Sequence, residues 1–237
     1  MHDAQIGKLI QVAQERMRRS SDPGHDFFHA ARVVAHIERF IADLDLTEEQ
    51  AIALILAGWW HDVGRTITAK PSFVWMLFFD DMISALMLWH ATIRYGVFGS
   101  IAGMSTRLIF CKSLGTGALF TKIFLRKKTR MLLNILKDAD VLDIMNVDRI
   151  AQWCRLAENS FIYTTGYRVL AWYNFKSNLF KMKTHHGRLY LQERTQLLIE
   201  WMARPEVEAW HRGHFGHMWA ERTKANVARR LERINSL

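Results

Sequence analysis

Three short blocks of this chain carry side chains able to hold a metal ion. In the first, His25, His29, Arg32 and His36 lie at offsets of four, seven and eleven residues. At about 100° per residue they share one helix face, bordered by Val33, Val34 and Ile37. The polar outer face of an amphipathic helix has the same spacing. In the second block, His61-Asp62 ends an apolar run, AIALILAGWW. Adjacent helical residues diverge and cannot easily share an ion mid-helix, but where the helix closes at Gly64 the backbone can turn and both side chains can converge. A helix end with His61 against the dipole and Asp62 in water is the plainer reading. It does not explain why an acid and an imidazole end so apolar a helix. The third block is KDADVLD, residues 137–143, in which Asp140 and Asp143 share a face while Asp138 points largely away. A carboxylate on a partly apolar helix is costly to bury unless it is paired or metal-bound. Asp143 fits as the partner behind an Asp140 ligand.

These blocks need helices to position them. Apolar residues recur at helical spacing almost throughout, with no sustained two-residue alternation, so the expected fold is all-α. A first helix is predicted at 5–19, and a second at 25–42 with Asp22 as cap and Pro23 in its first turn. Thr47 and Gln50 form a T-x-x-Q capping box that opens a third helix. An aromatic helix follows Pro71, a short helix at 106–114 lies between glycine loops, and the basic run 125–130 leads into a helix through the third block. Three or four more helices follow, with a break near Arg204 and Pro205. No composition shift marks a boundary. The expectation is one compact helical bundle over 1–237, with additional C-terminal helices from 146.

The net charge of +9 points to an anionic partner without choosing among nucleotide, nucleic acid and acidic lipid. Two cysteines, Cys111 and Cys154, are too few for a disulfide framework and fit a reducing, cytoplasmic compartment. The N-terminus alternates charged with apolar residues and reads as an amphipathic helix, not a signal peptide. The most membrane-like stretch, 73–89, is short for a span and holds Asp80 and Asp81 at its centre. Each charge would cost ~3 kcal/mol in a bilayer, so a buried helix is expected there.

The order His29…His61-Asp62…Asp140, set in GHDFFHAARVVAHI, LAGWWHDVGR and KDADVLD, resembles the H…HD…D signature of the HD-domain superfamily of metal-dependent phosphohydrolases. The resemblance covers about 24–143. It implies an all-helical, HD-domain-like fold with an aromatic insert at about 66–128 and His29, His61, Asp62 and Asp140 as ligands of one divalent ion. That donor set suits Mn, Fe, Co, Ni, Zn or Mg. It also implies hydrolysis of phosphomonoester, phosphodiester or pyrophosphate bonds, usually in nucleotides. Asp62, Arg32 and His25 would then be catalytic, and Arg32, Arg65, Lys70 and Lys112 would contact the phosphorylated substrate. Many relatives carry further histidines between the HD pair and the last Asp. Here that interval offers Asp80, Asp81, His90 and Lys112-Ser113, which favours one ion over two. The departure keeps a second reading open: a catalytically weak regulatory or binding module for an anionic ligand, nucleic acid or membrane surface. The histidines of HRGHFGH (His211, His214, His217) and His185-His186 read as surface or interface clusters, and the tryptophans as core.

Overall fold

The computed structural model describes residues 2–67, 73–113, 117–172, 175 and 181–235, with the side chains of 2, 3, 73–78, 118 and 119 outside that description. The fold is all-α: the described residues form twelve α-helices and one 3-10 helix, with no strand among them. Contacts gather them into two compact units, Met1–Ala139 and Asp140–Leu237. Both are helical, with the same mixture of apolar and charged residues.

In the first unit, α1 (His2–Arg18) packs against α3 (Glu48–Trp60), and α2 (Phe27–Asp43) lies along α3 as well. Trp60 is buried and its indole N–H donates to the Leu9 carbonyl at 3.1 Å, which ties α3 to α1. The capping box at α3 forms as expected: the Gln50 amide N–H donates to Thr47 Oγ1, and the Thr47 N–H to Gln50 Oε1 at 3.0 Å. The start of α2 differs from expectation. Asp26, with extended backbone, is the cap and accepts from the His29 amide at 2.9 Å. Asp22 instead closes the preceding turn by accepting from the Gly24 amide. His25 therefore precedes the helix and does not share the face of His29 and His36.

After α3 the chain enters a 3-10 helix, Val63–Ile67. Gly64 lies inside it, where a Cβ would come within 2.6 Å of the Asp80 carbonyl. Glycine is needed here for close approach to α4 (Phe73–Arg94), not for a left-handed helix end. The stretch expected to be a buried helix is only half buried. Among its described side chains, α4 buries Asp80, Asp81, Ser84 and Leu88 and exposes Phe79, Leu86, Trp89 and Ile93. No helix among the described residues is long and apolar enough to cross a membrane. The next helix, α5 (Ser100–Lys112), starts earlier than predicted and takes Gly103 into its first turns, while Gly96 and Gly99 keep positive φ in the loop before it. Then come α6 (Gly117–Phe124) and α7 (Lys127–Ile144), which absorbs most of the basic run.

The second unit holds α8 (Val147–Glu158), α9 (Phe161–Ala171), α10 (His185–Met202), α11 (Pro205–Phe215) and α12 (His217–Asn235), with Pro205 in the first turn of α11. Its core includes Tyr167, Leu198, Phe215 and Val227. His211, read from sequence as part of a surface or interface cluster, is buried there: its ring accepts from the Tyr167 hydroxyl at 2.8 Å and donates to the Val207 carbonyl at 2.7 Å. His214 and His217 are exposed. An open cleft of about 190 Å³ beside His211 is lined by Cys154, Trp201 and Trp210 among others.

Candidate metal centre

His29 and His61 are both buried, and their Nε2 atoms face each other at 3.2 Å. His61 Nδ1 lies 2.7 Å from the Gly58 carbonyl, which can only accept, so Nδ1 donates there and Nε2 is left facing His29. Asp62 Oδ2 completes a triangle, 3.2 Å from His29 Nε2 and 3.4 Å from His61 Nε2. Atoms this close share either a proton or a cation. Ligand atoms about 2.0–2.2 Å from a common ion stand about 2.8–3.6 Å apart at octahedral or tetrahedral angles, and the observed triangle falls in that range. The convergence of His61 and Asp62 expected at the helix end comes from the chain leaving α3 directly into the 3-10 helix. Asp140 is half-buried on α7.

Burial alone would raise the pKa of Asp62, but His61, His25, a hydrogen bond from His29 and then Arg65 outweigh it and hold the carboxyl well below the usual range. Asp62 is an anion, as a hard ligand must be. The Gly58–His61 hydrogen bond fixes the tautomer that leaves Nε2 available, a role that carbonyl partners commonly fill behind metal-bound histidines.

Around the triangle runs an ion-pair network that sequence reasoning missed. Arg65 reaches Asp22 at 3.2 Å and Asp80 at 2.5 Å, with its Nε 3.9 Å from Asp62 Oδ1. Asp22 Oδ2 also lies 3.0 Å from His25 Nδ1. Desolvation works against the Arg65 charge, but the three carboxylates more than offset it and raise its pKa. Burial, with Asp62 nearby, pushes Asp80 up. For His25, burial outweighs the carboxylates and lowers its pKa, so it is neutral at neutral pH, with Nδ1 donating to Asp22 and Nε2 open to accept a proton. Its ring stands edge-on to His29 at 5.4 Å between centroids.

The remaining expected site residues divide. Arg32 follows His29 by one turn of α2 and is half-buried. Lys112 lies 3.3 Å from buried Asp81, so the two expected phosphate cations Arg65 and Lys112 both meet α4 carboxylates. Lys70 lies outside the described residues. His90 is exposed on α4. Asp143, expected behind Asp140, is fully buried in an ion pair with Arg149 of α8 at 2.8 Å. The acids at 80 and 81 followed by a cation at 112 were the available signal for these pairs. Nothing in helix periodicity says which cation an acid will meet.

Compared with known proteins, the chain matches no family model, no curated protein and no solved structure.

Proposed function

We propose that this chain is a metal-dependent phosphohydrolase acting on a small phosphorylated substrate, with nucleotides as the leading class. The observation that carries the reading is the buried triangle of His29 Nε2, His61 Nε2 and Asp62 Oδ2, spaced 3.2–3.4 Å apart. Such a set fits one divalent ion, with Asp140 as the fourth ligand that the H…HD…D resemblance implies. A bound divalent ion supplies Lewis acidity towards a phosphoryl oxygen and brings a coordinated water towards pKa ~7.

The chain's own residues would then act as follows. His61 is held in its ligating tautomer by Gly58, and Asp62 is kept anionic by its neighbours. His25, neutral and oriented by Asp22, can take a proton at Nε2, while Arg65 keeps Asp22 ionised and in place. Arg32, one turn beyond His29, is the cation assigned to the substrate phosphate, since a planar guanidinium can grip two oxygens.

One observation favours the second reading, a weakly active module that binds an anionic ligand. The cations Arg65 and Lys112 are each committed to buried carboxylates, which leaves less positive charge for a phosphoryl group. A single screen separates the two. Metal-free protein is loaded with Mn, Fe, Co, Ni, Zn or Mg, offered nucleoside mono-, di- and triphosphates, and assayed for released phosphate or pyrophosphate. Release that depends on the ion and disappears in Asp62→Ala supports the enzyme. Ion-dependent binding of a nucleotide without release supports the module, and neither outcome for any ion sinks both.

A further inference from the structure

Between Asp81 and Asp138 the chain contains no acid at all, yet it contains nine of the 32 lysines and arginines. The remaining 23 cations match the 23 acids, so this one stretch carries the whole net charge of +9. Five of its cations, Lys122, Arg126, Lys127, Lys128 and Arg130, crowd the corner where α6 passes into α7, and all are exposed. Leu125 at the turn is buried, and its carbonyl accepts from Arg130 Nε at 3.2 Å, so the corner has a fixed shape. On either side of that anchor, apolar side chains stand in solvent: Ile123 is 63% exposed, Phe124 49% and Met131 41%. Phe124 is braced from behind by stacking on Phe120, with ring centroids 5.7 Å apart.

Burying Phe124 while the cations stay wet would fit an ordinary surface corner. Here the largest apolar residues project beside the cations, an arrangement costly in water unless something covers it. Apolar tips ringed by Lys and Arg suit the boundary between headgroups and acyl chains of an acidic bilayer. A nucleic acid would satisfy the cations, but an aliphatic tip such as Ile123 neither stacks on a base nor pairs with a phosphate. We infer that the α6–α7 corner is a docking surface for acidic lipid membranes, with Ile123 and Phe124 entering the interface and the surrounding cations on the headgroups. The docking needs nothing from the metal centre.

The test is sedimentation of the full chain with vesicles of phosphatidylcholine alone, or with about 30 mol % phosphatidylglycerol added to supply negative surface potential. Binding is expected only to the phosphatidylglycerol vesicles, and it should collapse at 1 M salt, where the screening length falls to about 3 Å. Each cation near such a surface contributes about fivefold, so Lys127→Gln with Lys128→Gln should weaken binding about thirtyfold. Ile123→Ser should weaken it about tenfold through lost apolar burial. All three positions are exposed, so the variants keep the fold, which circular dichroism checks. Equal binding to both vesicle types, or binding to neither, overturns the inference. So does retention on a single-stranded RNA oligonucleotide that outcompetes the vesicles and is unchanged by Ile123→Ser.

Discussion

Replacing Gly64 with alanine should loosen the turn that presents Asp62 and Arg65. A Cβ there would stand 2.6 Å from the Asp80 carbonyl oxygen, 2.9 Å from Ser84 Oγ and 3.0 Å from the Ser84 amide nitrogen. Two of those atoms are backbone of α4 and cannot swing aside. Ser84 Oγ cannot leave freely either, since it accepts from the Gly64 amide at 2.8 Å in a buried setting. Overpacking of this kind costs ~1–3 kcal/mol, and loss of the hydrogen bond about another 1 kcal/mol. Against this, alanine gains ~0.4–1 kcal/mol by restricting the unfolded chain. The steric cost wins, and a net loss of about 2–3 kcal/mol is expected. Gly7 is the internal control: it lies in α1 of the same unit with nothing within 4 Å of an added Cβ. Gly7→Ala should therefore stabilise by up to about 1 kcal/mol. Urea unfolding followed by circular dichroism, compared at equal slope, reads both changes. A Gly64→Ala midpoint within ~0.5 kcal/mol of wild type, or equal shifts in both variants, would refute the close-approach reasoning.

Three further outcomes follow from the ion-pair network and the α2 face. Arg65→Met leaves buried Asp80 and half-buried Asp22 without their counter-charge and should cost about 3 kcal/mol in the same unfolding assay; a loss under ~1 kcal/mol would make the network ornamental. Burial alone would raise Asp22, but His25, the Gly24 amide and Arg65 together hold it below the ordinary carboxylate range. A carboxyl depressed in the folded state contributes stability that is present above its unfolded pKa near 4 and is lost as pH falls below it. The stability difference between wild type and Asp22→Asn, followed from pH 6 to pH 2, should therefore shrink with acid, and a constant difference would contradict the assignment. Arg32→Lys should lower turnover of the phosphorylated substrate while leaving ion affinity nearly unchanged, with Arg32→Ala worse; wild-type turnover in both variants would remove Arg32 from the site.

Much of the frame could be read from the residues because local chemistry set it. Thr47 with Gln50 opens α3 as a capping box, and His29, His61 and Asp62 meet where their helices suggested. Asp22 was misread because Pro23 looked like a first helical residue, while Asp26, three residues before the His29 amide, held the cap. The inverted character of α4 could not be read either. Its acids are inside because Arg65 and Lys112 meet them there, from 15 and 31 residues away, and helical periodicity carries no record of such partners. Gly64 looked like a helix stop when its real constraint is the neighbouring backbone of α4, a tertiary fact.

The proposed chemistry needs one cation among His29, His61, Asp62 and Asp140. Calorimetric titration of the chelator-stripped protein with Mn or Zn tests this most directly, run in parallel on wild type, His61→Ala and Asp62→Ala. The expected result is a single ion per chain in wild type, with affinity lost in both variants while their circular dichroism stays helical. No binding by wild type, or wild-type affinity in His61→Ala, would contradict it.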